Sequence, residues 1–71
     1  MIRDIDGKPT EFVKSSTSHL EGLECLYVGA SGDAAELFES DNPEVSVRTS
    51  RGKLARFIEG AKSGEFDHLV T

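Results

Sequence analysis

Near the end of the chain, Leu54, Phe57, Ile58 and Ala61 fall at i, i+3, i+4 and i+7, the apolar stripe of an amphipathic helix. A stripe of this kind must be covered, and no other segment of the 71 residues carries one of comparable length. The remaining apolar residues come in short runs broken by turn residues, which predicts an α+β domain: a small antiparallel sheet of about four strands with one C-terminal helix lying on it. A chain of this size buries only about 60% of its unfolded surface, so residues 1–71 form a single domain with a small core.

The helix stops at a recognisable signal. In "EGAKSGEFD", Glu59 to Asp67, the run Gly-Ala-Lys-Ser-Gly invites comparison with a phosphate-binding loop, but that motif needs Gly, four residues and then Gly-Lys-Ser/Thr between a strand and a following helix. Here Ala61 occupies the position before Lys62-Ser63 that requires glycine, and the segment closes a helix instead of opening one. The expected arrangement is Gly64 in the left-handed conformation after the last turn, Lys62 near the helix C-terminus, and Phe66 folded back onto the stripe. Thr49 or Ser50 is the expected N-cap. Gly60 costs about 1 kcal/mol in a helix relative to alanine, which fits either close approach of another group or a glycine tolerated near a fraying helix end.

Upstream, Ile2 and Ile5 precede Asp6-Gly7, a dipeptide favoured in tight hairpins, and Phe12 and Val13 follow Pro9. "KSSTS", Lys14 to Ser18, reads as a strand end entering a turn. "LECLYVG", Leu23 to Gly29, is nearly continuous in apolar residues and reads as a central strand. In "ASGDAAELFES", Ala34, Leu37 and Phe38 take helical spacing after Ser31 or Asp33 as cap, which leaves room for a short extra helix. "SDNPE" reads as loop, and Val45 to Ser50 alternates as a strand. The expected core is Cys25, Leu26, Val28, Val45, Val47, Leu54, Phe57, Ile58 and Phe66.

Charge is segregated. Asp33, Glu36, Glu39, Asp41 and Glu44 occur with no base among them, and Arg48, Arg51, Lys53 and Arg56 follow with no acid among them. Either the acidic stretch folds back on the basic one, or the bases await an acidic surface; Arg48, Arg51, Lys53 and Arg56 are therefore the candidate partner-binding residues. With a net charge of -5, direct binding of nucleic acid is not expected.

No catalytic, cofactor-binding or metal-binding residues stand out. His19, His68 and Cys25 have no metal-ligand spacing, and the serines of "KSSTS" lack a neighbouring base, so the chain reads as non-enzymatic. A single cysteine points to a reducing, cytoplasmic setting. No apolar run approaches a membrane span and the N-terminus has no signal-peptide core, so the chain reads as soluble and unprocessed.

Four blocks in order, "FVKSSTS", "ECLYV", "VSVRTS" and "FIEGAKSGEFD", resemble the small actinobacterial proteins of the domain of unknown function 397 family. The last block is the most specific, with Phe57, Gly60, Lys62, Gly64, Glu65, Phe66 and Asp67 in step. Leu54 stands where the family has tryptophan, the segment before the helix is shortened, and "SGDAAELFESDNPE" looks like an insertion. The resemblance implies no catalytic residues and no cofactor. It implies an accessory role in transcription regulation, through protein contact with a helix-turn-helix regulator, or alternatively a toxin-antitoxin component. A homodimer, or a self-associating domain without a dedicated partner, is the third expectation, since a small core gains from a partner surface.

Overall fold

The computed structural model describes residues 1–16 and 25–71. Thr17, Ser18, His19, Leu23 and Glu24, which entered the sequence reading, lie outside them. The first two strands, β1 (Ile2–Ile5) and β2 (Lys8–Glu11), form an antiparallel hairpin. Asp6 and Gly7 both take positive φ, 53° and 79°, the type I′ geometry whose twist matches the flanking strands. The Asp-Gly signal therefore acts as expected. Past β2, the backbone N–H of Phe12 donates to the Met1 carbonyl at 2.7 Å.

A second antiparallel sheet has the order β3 (Leu26–Ser31), β4 (Ala34–Glu39), β5 (Asn42–Ser50). Helix α1 (Arg51–Lys62) follows β5 directly, and a 3-10 turn covers Asp67–Leu69. The architecture is α+β, with two small sheets and one longer helix among the described residues.

The short helix expected in the acidic stretch is not formed, because those residues make β4, the middle strand of the sheet. Its pattern was ambiguous: Ala34, Ala35, Leu37 and Phe38 satisfy a helical stripe, but they also suit a strand buried on both faces. The helix-forming tendency of Ala, Glu and Leu yields to pairing on both sides, Leu37 lying between Val28 and Val47. Two two-residue turns enclose β4, Gly32-Asp33 (Gly32 φ 59°) and Ser40-Asp41. Consequently β3, expected to be central, lies at one side of the sheet. Pro43 belongs to β5 and not to a loop, a position open to proline because β5 is an edge strand.

The sheet uses its two faces differently. On one face Tyr27, Gly29, Glu36, Phe38 and Arg48 look toward the β1–β2 hairpin, as alternation from the register requires. Ile5, Phe12 and Phe38 form the buried cluster there. Phe12 meets Phe38 with ring centroids 5.3 Å apart and tilted by 58°, Tyr27 stacks on Phe38 at 5.2 Å, and the Arg3 guanidinium covers the Phe38 ring at 4.1 Å. Val13 and Val28 exchange both backbone hydrogen bonds at 2.9 Å, which stitches the segment after β2 to the sheet. On the other face Ala35, wholly buried, and Leu37 lie under α1.

The core therefore differs from the expected one. Cys25 is buried, and Val28 and Leu54 are half-buried, but Leu26, Val45, Val47, Phe57, Ile58 and Phe66 are exposed. Ile5, Phe12, Ala35 and Phe38 take their place. The alternation of Ser46, Val47 and Arg48 follows the expected pattern, but the hairpin covers the face opposite to the one expected to be buried.

The seating of the hairpin depends on Gly29. A Cβ at that position would lie 2.8 Å from two ring atoms of Phe12, inside van der Waals contact. Gly29→Ala is expected to destabilise the fold by about 1–3 kcal/mol through overpacking, whereas Gly52→Ala, whose Cβ meets nothing nearer than 3.9 Å, should be neutral or stabilising. Urea unfolding of both variants beside the parent measures the difference.

Candidate interaction face

Helix α1 starts where Ser50, in extended conformation, accepts the Lys53 backbone N–H on its Oγ at 3.1 Å. This is one of the two caps expected from sequence. The first helical residue is tied down as well: its backbone N–H donates to the Asp33 carbonyl at 2.9 Å, and the Arg51 Nε donates to the Gly32 carbonyl. The turn between β3 and β4 thus anchors the helix start.

The helix end follows the expected stop. Gly64 has φ 77°, Glu65 N–H donates to the Gly60 carbonyl at 3.0 Å, and Gly64 N–H donates to the Ala61 carbonyl at 3.1 Å, the paired bonds of a Schellman motif. Phe66 returns over the helix and stacks on Phe57 with centroids 5.0 Å apart. Its ring also explains Gly60, where a Cβ would stand 3.0 Å from Phe66 Cε2. The phosphate-loop look of the segment is the by-product of this close approach and this stop.

What the helix does not do is cover the sheet. Leu54 is half-buried, yet Phe57 remains 50% exposed and Ile58 and Phe66 are exposed beside it. Between α1 and β5 runs an open apolar groove of about 210 Å³, lined by Leu37, Val47, Thr49, Lys53, Leu54 and Phe57. Along β5, Val45 and Val47 are 63% and 62% exposed, so apolar surface continues from the groove to the edge of the sheet. Contiguous apolar surface on a small domain, rimmed by charge, is the mark of a protein contact.

The four basic candidates separate. Arg48 stands on the opposite face from Val47, donating to Asp6 at 2.5 Å and to Glu36 at 3.0 Å. The hydrogen bond to Asp6 is the leading cause that raises the Arg48 pKa above its ordinary value, against a smaller opposing effect of desolvation; the charges of Asp6 and Glu36 add to the rise. Arg48 joins the hairpin to the sheet. Lys53 lines the groove, Arg51 sits at the helix start, and Arg56 makes an exposed i,i+3 pair with Glu59 at 2.9 Å. Such an exposed pair contributes about 0–1 kcal/mol and leaves Arg56 available. The acidic stretch therefore makes one ion pair with the basic one, Glu36 with Arg48. Among the described residues, Asp41, Glu44, Arg51 and Lys53 have no ion-pair partner.

A second depression, about 290 Å³, lies between the two hairpin turns and includes Asp6, Lys8 and Asp33. Its Asp6 carboxylate is engaged by Arg48. Among the described residues no three His, Cys, Asp or Glu side chains come together as a metal-holding group. Cys25 is buried, with its Sγ 3.8 Å from Lys14 Nζ. Among the described residues no helix is long and apolar enough to cross a membrane.

The exposed face was partly hidden from sequence reasoning because Val45, Val47, Phe57 and Ile58 carry the same periodicity whether covered or bare. One signal was present: a single short helix is too narrow to cover every apolar position of a three-stranded sheet. No family model, no curated protein and no solved structure matches the chain.

The helix stop can be tested apart from the groove. Gly64→Ala forces a Cβ into the left-handed region and is expected to destabilise by about 1–2 kcal/mol. Thermal unfolding by far-ultraviolet circular dichroism reads this as a lowered Tm, and an unchanged Tm would show that the Schellman bonds do not hold the helix end.

Proposed function

We propose that this chain is a non-enzymatic accessory regulator, cytoplasmic, which binds a helix-turn-helix transcription regulator by protein contact. The observation that carries the reading is the groove between α1 and β5, apolar at its base, with Lys53 in its lining and Arg51 and Arg56 on the same helix. Its chemistry fits an acidic, amphipathic segment of another protein: apolar anchors enter the groove beside Phe57 and Leu54, and carboxylates meet Lys53 and Arg56. The net charge of -5 favours a protein over nucleic acid as the partner. The identity of that partner as a DNA-binding regulator rests on the resemblance of the four sequence blocks.

Tagged capture from the native host, with mass spectrometry of the bound proteins, tests the proposal. The parent chain is expected to enrich a helix-turn-helix regulator, and both Phe57→Asp and the Lys53→Glu/Arg56→Glu variant are expected to weaken its retention about tenfold or more, with unfolding curves close to the parent's. Retention of the regulator by both variants would reject the groove as the contact surface.

A further inference from the structure

Beyond partner binding, we propose that the free edge of β5 pairs with the β5 edge of a second copy, antiparallel about a two-fold axis at Ser46, giving a six-stranded sheet. β5 is the longest strand among the described residues, nine residues, and lies at the outer side of its sheet, with Asn42 to Arg48 all exposed; its pairing with β4 is regular from Ser46 to Ser50 and shifts register between Ser46 and Asn42. A long edge strand with bare valines is a template for another strand unless it is covered, and nothing among the described residues covers it. A second copy satisfies both the unpaired backbone and the valines.

The register follows from symmetry and side-chain pairing. A two-fold axis perpendicular to the sheet keeps each face on its own side, so directly opposed residues must be of one alternation class. With Ser46 opposite the partner's Ser46, Val45 meets the partner's Val47 and Val47 meets the partner's Val45. Centring one residue earlier sets Val47 against the partner's Pro43, and one residue later sets Val45 against the partner's Thr49. Only the Ser46 centre pairs every valine with a valine.

Charge selects the same occupant. The segment entering β5 carries Asp41 and Glu44, and the segment leaving it carries Arg48, Arg51 and Lys53. Antiparallel pairing therefore lays each acidic entry against the partner's basic exit, with Glu44 opposite the partner's Arg48 and Asp41 near the partner's Arg51. Arg48 is already engaged by Asp6 and Glu36, so the electrostatic gain falls mainly on Asp41, Glu44, Arg51 and Lys53, which have no ion-pair partner among the described residues. The segregated charges of the sequence, left mostly unmatched within one copy, become complementary between two. Because the axis preserves faces, both α1 helices lie on one side of the joined sheet, with the paired valines between them.

Sedimentation equilibrium over a range of concentrations, combined with charge exchange, tests the pairing. The parent is expected to move from one to two monomer masses as concentration rises. The Asp41→Lys/Glu44→Lys variant and the Arg51→Glu/Lys53→Glu variant are each expected to remain monomeric, at least about tenfold weaker in self-association, while their equimolar mixture dimerises again. In a separate series, Val45→Cys, Ser46→Cys and Val47→Cys are oxidised, and Ser46→Cys is expected to crosslink fastest. A parent that stays monomeric, dimers indifferent to both reversals, failure of the mixture to dimerise, or fastest crosslinking at position 45 or 47 would each overturn the proposal. Only this chain is present in these assays, so their failure leaves the regulator reading standing, and loss of regulator capture by Phe57→Asp leaves self-pairing standing.

Discussion

The structure depends on the contact of the Phe12 ring with the bare backbone at Gly29. Neither sheet is independently secure: a two-stranded hairpin is marginal in water, and the three-stranded sheet needs a covered face. Phe12 joins them, because its ring fills the space that a side chain at Gly29 would occupy while its other contact, with Phe38, extends into the stack with Tyr27. The backbone pairing of Val13 with Val28 sets the ring's height above the sheet, and Arg48, bonded to both Asp6 and Glu36, fixes the far end of the hairpin. Packing, backbone pairing and a charge bridge thus constrain the same pair of elements.

That arrangement accounts for what the other face lacks. The large aromatics Phe12, Tyr27 and Phe38 are used between hairpin and sheet, so the α1 side has Ala35 buried at its centre and Leu37, Val47 and Leu54 only partly covered or bare. Phe57 and Phe66 stack on each other instead of entering the sheet. A helix of twelve residues is about 18 Å long by its 1.5 Å rise and presents one narrow stripe. The open groove follows from the distribution of ring volume between two faces.

Legibility in the sequence followed the locality of each signal. Asp6-Gly7, the Ser50 cap, Gly64 at the helix stop and the return of Phe66 were all readable, since each is determined by a few neighbouring residues and their backbone preferences. Ala34 to Glu39 was not, because Ala-Ala-Glu-Leu-Phe-Glu satisfies two periods at once and the choice between them lies in long-range pairing to Val28 and Val47. The Gly32-Asp33 dipeptide was the overlooked clue, as Gly-Asp between apolar runs is a hairpin signal. The core was misjudged for a related reason: alternation in β5 identifies two faces, and only the position of the hairpin decides which is buried. For the candidate site, the clustered bases were visible, but their division between Arg48 on one face and Lys53 on the other needed the register.

The charge order of the chain gains a physical meaning from this division. Within one copy, Arg48 takes Asp6 and Glu36, and the acids that enter β5 stay apart from the bases that leave it, since they sit at opposite ends of an extended strand. At about 3.3 Å per residue, the seven-residue step from Glu44 to Arg51 separates them by roughly 20 Å, beyond a Debye length at physiological salt. Charges that far apart contribute little to the stability of the monomer. Their separation instead gives β5 a direction, acidic at entry and basic at exit, which another strand can read only by running antiparallel. A parallel neighbour would set like charges together, so the same residues that leave the monomer uncompensated favour one orientation of a second strand and disfavour the other.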